Sequence, residues 1–563
     1  MSRYPSYNEE ADHEKHTKQS LDESPQRTEY GSRRNSDDTE QRFHSNTPHG
    51  DSISLESLTH PQTQSRSHRN SAAKAVFPIP NESFSHPLVR EPTGAGADAM
   101  VVDFDGEDDP YRPMNWPFRK KVITTILYGF TTCWITFASA IYSPDVQQIA
   151  HDFDVSIEVA TTGISMVVFG FGLGPLIWAP LSEVYGRKWA ALVPYFIAAV
   201  FSFASGAAKD IQTLLITRFF TGFFGSAPIT NTGGVLGDIW SPEQRGVAVV
   251  GYAVAVIGGP TIGPVVGGAI TSSDLRWRWT EYLTGIVLMA QLILDLLLCD
   301  ESYAPTLLVY KARRLRHESG NWTLHAKHEE WDVSVKELAQ KYLIRPVQML
   351  FTPICFLISL YAAFVYGILY ANLAGFSIAF EEVRGWGLVT GNLPFLAIFI
   401  GILGAAVLNV YNNKYYFKRF RENGNRPVPE ARLPPMMIGG ILFAGGLFLF
   451  AWTSSPNISY WPSIIGIGMT GFGFTSIFQA ALNYLIDTFT RYAASAVAAN
   501  TFMRSVLAGA FPLFVDAMYH NIGVDWGSTI FGCVAVLLVP VPFIFFLYGR
   551  NIRARGEWSK PSL

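Results

Sequence analysis

Cysteine is scarce: the 563 residues hold four, Cys133, Cys299, Cys355 and Cys533, each in a separate apolar run. No two have the spacing of a disulfide framework or a metal site, so a stapled secreted scaffold is excluded and the thiols are expected to pack as small apolar side chains. Charge is scarce as well. Only 16% of residues are charged, well under the roughly 25% of a soluble chain. The twelve histidines all fall outside the long apolar runs, so a proton relay in those runs would have to use carboxylates, whose pKa rises on desolvation. Residues 1–108 have almost no apolar periodicity. They read as a disordered cytoplasmic tail. The tail also lacks a basic start followed by an apolar core and a small-residue cleavage site, so it is not a secretory signal and the first apolar run must direct insertion.

What the chain does have is apolar length, with 48% hydrophobic and 14% aromatic residues and a mean hydropathy of +0.17. Windowed apolarity predicts twelve membrane spans: 122–143, 160–180, 189–208, 211–237, 246–270, 281–299, 350–375, 387–411, 433–453, 461–486, 492–518 and 526–548. The net charge of −3 says little about partners, because in such a chain the placement of the cations matters. Arg119, Lys120 and Lys121 precede the first span, and Arg187, Lys188, Arg245, the cations of 300–349, those of 414–432 and Arg550, Arg553 and Arg555 fall on the same side. Both termini are therefore expected in the cytosol. The organisation that follows is a tail at 1–108, a six-span bundle at 109–299, a cytoplasmic loop at 300–349, a second six-span bundle at 350–548 and a short cytoplasmic end at 549–563.

The halves also resemble each other. Gly222-Phe223, Ser226, Leu236 and Asp238 align at one offset with Gly471-Phe472, Thr475, Leu485 and Asp487, and Glu183-Val-Tyr185 with Lys188 aligns with Asn409-Val-Tyr411 and Lys414. Two parallel six-span repeats are the pattern of a transporter whose substrate sits between them at the membrane midplane.

Several polar residues stand out against this background. Between spans two and three, Glu183, Arg187 and Lys188 follow an apolar run at a glycine turn and read as a compact latch. Arg218 lies inside span four, where an unpaired guanidinium costs about 2.5–3.5 kcal/mol on insertion scales, so it faces a cavity or a partner unless it snorkels to an interface. Arg504 in span eleven is comparably deep, with a structural ion pair as the alternative. Intramembrane carboxylates are Asp145, Asp295, Asp487 and Asp516, and Asp145 is the candidate proton site, with a structural or interfacial role as the alternative. Span five carries Gly259-Pro260, Gly263-Pro264 and Gly267-Gly268, a bare, kinked face suited to close helix contact. Tyr361, Tyr366 and Tyr370 on span seven, with Gln479, Asn483 and Tyr484 on span ten, offer rings and hydrogen bonds to an amphipathic or cationic ligand, or else serve as packing and belt residues. In the tail, Arg33-Arg-Asn-Ser36 is a candidate phosphorylation site.

With these residues the chain resembles the major facilitator superfamily over about 109–555, and within it the fungal twelve-span drug:proton antiporters, the branch of multidrug and polyamine exporters. Gly174-Pro-Leu through Glu183-Val-Tyr-Gly-Arg187-Lys188 is similar to the signature between spans two and three, with Glu where many relatives have Asp. Leu214 to Gly225 is similar to the span-four signature, and the Gly-Pro run to the antiporter signature of span five. Asp109-Pro, Glu301-Ser-Tyr-Ala-Pro305 and Asn500-Thr-Phe-Met-Arg504 add branch-level matches.

The resemblance implies an all-α integral membrane protein of twelve helices in two pseudo-symmetric bundles. It implies that Arg218 takes part in proton coupling and that Asp238 pairs with Arg187; Asp145 belongs to no signature. No cofactor is expected, and the expected partners are a small organic substrate, protons and the bilayer, not nucleic acid, with the chain acting as a monomer in the plasma membrane or an internal one such as the vacuolar membrane. The expected function is proton-coupled export of an organic solute by alternating access. Import or facilitated passage, and a nutrient sensor on a transporter scaffold, are the alternatives. An enzyme is not expected, because no nucleophile, histidine pair or metal-ligand spacing lies in or beside the spans.

Overall fold

The computed structural model describes residues 100–330, 340–556 and 558–559. Most of the segment expected as a tail, with Ser36, lies outside the described residues.

The chain is helical almost throughout. Its long helices are α1 (Phe118–Ala140), α2 (Ile157–Leu173), α3 (Pro175–Tyr185), α4 (Arg187–Gly206), α5 (Ile211–Ile239), α6 (Pro242–Thr271) and α7 (Arg278–Leu298), then α8 (Ala304–Ser319), then α9 (Pro353–Phe376), α10 (Phe395–Glu422), α11 (Pro434–Thr453), α12 (Tyr460–Thr488), α13 (Ala493–Leu538) and α14 (Pro540–Arg555). Among the described residues nine helices are long and apolar enough to span a membrane, or ten if α2 and α3, bent by 41°, count as one. Pro175 explains that bend, since it lacks the N–H a continuous helix needs and crowds the preceding turn.

Two features bring the number to the expected twelve. α5 is less apolar than those nine because it carries Arg218, Asn231, Asp238 and several threonines. Ala493–Arg555 passes as one 63-residue stretch, yet the helix breaks at Gly523, whose φ of 85° favours glycine. There the chain doubles back: the Tyr519 hydroxyl lies 2.9 Å from that of Ser528, and Phe511 stacks on Phe531 at 5.6 Å. The membrane-facing surface stays apolar, with Leu297, Ile400, Leu537 and Leu547 each at least 70% exposed, a surface suited to lipid rather than water.

The small-residue face of α6 serves two contacts. A Cβ at Gly259, Gly263 or Gly267 would run into the backbone of α1 between Cys133 and Ile141, while Gly258 and Gly268 face Phe399 and Asn392 of the second half. α6 thus packs on α1 within its own bundle and on α10 across the seam, and α2 packs on α13 in the same way. The halves touch at three further points along the seam. Gly246 abuts Asn413 at the end marked by the basic residues, Gly172 abuts Ser505, and the Ser139 and Tyr370 hydroxyls meet at 2.9 Å.

Residues on either side of the first bundle are also ordered. Val101–Val102, within the segment read as tail, pairs in parallel with His325–Ala326, and Lys311 of α8 lies 2.8 Å from Asp105 and 3.6 Å from Asp109.

Candidate functional site

Three groups of polar residues occupy the bundles. The first surrounds Arg218, about two turns into α5 and 1% exposed. A guanidinium has five donors and no acceptor, so burial demands acceptors on several sides. They are present: Nε donates to the Gly163 carbonyl at 2.9 Å, Nη2 to the Ala138 carbonyl at 3.3 Å, and Nη1 pairs with Glu281. The Tyr142 ring covers the guanidinium at 4.0 Å. Asp145 is fully buried close by, accepting from the Thr271 hydroxyl and, at 2.6 Å, from that of Thr280, the residue before Glu281.

Arg218 and Asp145 were legible in the sequence. Glu281 was not, because it follows Arg276-Trp-Arg-Trp-Thr and reads as the rim of an outer loop. The signal that would have found it is Arg218 itself, whose depth requires a carboxylate on a neighbouring span. The other intramembrane acids are occupied elsewhere. Asp295 accepts from Thr131 at 2.6 Å and Gln291 at 2.8 Å, and Asp516 lies 3.7 Å from His520, which also reaches Glu382 at 2.9 Å. His520 is thus part of α13, beyond the expected end of its span.

The second group forms the latch. Gly186 turns the chain with φ 91°, and α4 begins at once. The Glu301 carboxylate caps that helix, accepting from the N–H groups of Arg187 at 2.9 Å and Lys188 at 3.0 Å, where a negative charge offsets the helix dipole. Arg187 turns inward, with Nε 3.2 Å from Asp238 and Nη1 2.8 Å from the Ser182 hydroxyl. Glu183 does not join it; it pairs with Lys341 at 2.6 Å.

The second half has an ion pair of the same type, built differently. Asp487, which aligns with Asp238, pairs with Arg432 at 2.9 Å. Asn413 stands where the repeat would place an arginine, and it accepts from Arg432 at 3.2 Å instead. An arginine from the turn just before α11 therefore does what Arg187 does in the first half.

The third group lies at the seam. Arg504 projects between the rings of Tyr366, at 4.5 Å, and Phe478, at 4.9 Å, and Tyr370 packs on Tyr366 at 5.3 Å. Gln479 and Asn483 line a small cleft with Gly246, Asn409, Asn412, Asn413 and Arg432. Tyr361 and Tyr484 are set elsewhere: the Tyr361 hydroxyl lies beside Gly440 of α11, and Tyr484 packs on Phe545 of α14 at 6.0 Å. The face of Tyr366, read from sequence as open to a cationic ligand, is already covered by Arg504. Among the described residues no cluster of three or more histidine, cysteine, aspartate or glutamate side chains could hold a metal ion.

A family model described as Major Facilitator Superfamily matches residues 128–512. The chain is 59% identical over 463 residues to the efflux pump bik6 of Gibberella fujikuroi, covering 82% of this chain and 96% of that protein. It is 42% identical over 463 residues to the multidrug transporter TPO1_2 of Candida glabrata, covering 81% and 79%. In fold it is similar to the xylose transporter XylE from E. coli in a partially occluded inward-open conformation, with a TM-score of 0.54 at 18% identity over 76% of this chain and 98% of that one.

Proposed function

Because the chain belongs to the major facilitator superfamily and is a multi-pass membrane transporter rather than an enzyme, we propose that it exports an organic solute from the cytosol in exchange for protons. The basic end of the bundles faces the cytosol, the plasma membrane is its site, and one chain is the working unit. Residues 109–299 and 350–548 rock as two bodies about the seam, linked by the 300–349 segment. The names of the two relatives, an efflux pump and a multidrug transporter, support export over import.

The observation that carries proton coupling is the buried pair of Arg218 and Glu281. With Glu281 ionised the pair is neutral; a proton on Glu281 leaves the guanidinium without its counter-charge in a low-dielectric site. Arg218 also holds the carbonyl of Ala138, and the next residue, Ser139, meets Tyr370 of the other half. Loss of the ion pair therefore reaches α1 at the point where the bundles touch. Asp145, bound to the residue before Glu281 through Thr280, is the second acid of this site and supplies a place to which the proton can pass. No covalent chemistry is required; the work is a bias on two conformations.

The test is reconstitution into liposomes with an imposed proton gradient. Solute should move toward the more acidic side, and flux indifferent to the gradient would reject the coupling.

A further inference from the structure

We propose that Arg504 is the anchor for an acidic group on the solute, so that the exported class is aromatic organic anions. The proposal rests on the export reading above and adds the sign of the cargo.

Three arginines are buried among the described residues: Arg218, Arg504 and Arg553. Arg218 has Glu281 and Arg553 has Glu430 at 2.8 Å. Arg504 differs. It is 7% exposed, its Nε has no hydrogen-bond partner, and no carboxylate among the described residues pairs with it. Its neighbours are the rings of Tyr366 and Phe478, with Phe474 and Tyr370 behind them. Aromatic faces offset part of the desolvation of a guanidinium, but they supply neither its counter-charge nor acceptors for its N–H groups.

Of the three buried arginines among the described residues, Arg504 is thus the one without a counter-charge, and it sits where the halves meet. Ser505, the next residue, abuts Gly172 of α2, and Tyr252 of α6 lies within Coulombic reach of Arg504. Two buried amides are also unsatisfied: both side-chain polar atoms of Asn231 on α5, and Oε1 of Gln479 on α12. When the seam opens, an anion entering it gains a charge-assisted bond to a preformed donor, while an aromatic body finds rings to stack on. A cation meets like charge, and the ring face that would have held it is taken.

The purified full chain in detergent is titrated with three probes sharing one ring system: 1-naphthalenesulfonate, 1-naphthalenesulfonamide and 1-naphthyltrimethylammonium. Binding is read by quenching of tryptophan fluorescence. The sulfonate should bind about tenfold more tightly than the other two. Arg504→Gln should weaken the sulfonate by about tenfold while leaving the sulfonamide within about twofold, and Arg504→Lys should recover most of the loss. The sulfonamide doubles as the check that the variants fold. Tightest binding of the ammonium probe, equal weakening of all three by Arg504→Gln, or binding of none overturns the proposal. Gradient-driven flux of the tightest binder in liposomes separates the two readings. Movement of the ammonium probe leaves export standing and removes the anion anchor, whereas Arg504-dependent sulfonate binding without gradient-driven flux rejects coupled export and keeps the anchor.

Discussion

Lys341 reaches Glu183 of the first bundle at 2.6 Å, while its own carbonyl accepts from Ser495 of the second at 3.1 Å. One residue of the connecting segment therefore touches both halves at the basic end of the seam.

Replacing Lys341 with glutamate sets like charges together at that bridge. Both side chains are partly exposed, so the shift should be modest, about 0.5–1 kcal/mol or a two- to fivefold change in the closed population. Asn413→Cys, in a background lacking Cys533, should then react with a maleimide correspondingly faster; an unchanged rate would show that Lys341 does not hold that end closed.

Glu281→Gln removes the counter-charge of Arg218 without changing shape. Losing one partner of a buried pair should lower stability by about 3–5 kcal/mol, whereas Arg218→Met with Glu281→Leu should restore most of it. Thermal unfolding reads the first effect. Solute exchange under zero gradient and under an imposed one reads the second, and neither variant should respond to the gradient.

The glycines of α6 should separate sharply. Gly263→Val drives a branched side chain into α1 near Phe137 and Ala140 and should abolish the folded protein, while Gly251, with nothing within 4 Å of a Cβ, should accept alanine with a gain of about 0.5–1 kcal/mol. Size-exclusion profiles and melting temperatures in detergent compare the two, and equal tolerance would refute the packing described.

His325 predicts a pH effect outside the membrane. Its ring nitrogens lie 2.8 Å from the Thr323 carbonyl and 2.8 Å from the Glu330 carboxylate, two acceptors that only the doubly protonated ring can satisfy. The Thr323 carbonyl first, then Glu330, raise its pKa above the ordinary value. A raised folded-state pKa gives stability that is complete below the unfolded value and is lost as pH rises through the folded one. Amide exchange at Val101–Val102 and His325–Ala326, corrected for its intrinsic pH dependence, should therefore quicken across that window, and His325→Gln should remove the pH dependence.

The spans were legible because an apolar run long enough to cross lipid has few other uses, and the depth of Arg218 was legible for the same reason. Orientation around each helix was readable but unread. Tyr361 lies five residues from Tyr366 and Tyr484 five from Gln479, about 140° around a helix of 3.6 residues per turn, so neither shares its neighbour's face. The pairing of Arg432 with Asp487 could not be read from the repeat, because the arginine has moved from the position of Asn413 to the turn before the next helix. Nor could Glu281 be separated from the polar rim before it, since helix α7 begins at Arg278, inside what looks like a loop.

The turn at Gly523 leaves almost nothing between the last two membrane passages. A protease confined to that side would find only the exposed helical residues His520, Asn521 and Ile522 to cut, and a tag inserted there would have to pry apart Tyr519 and Ser528. The two passages must enter the bilayer as one hairpin, and any tilt that carries Arg504 during transport has to drag the terminal helix with it.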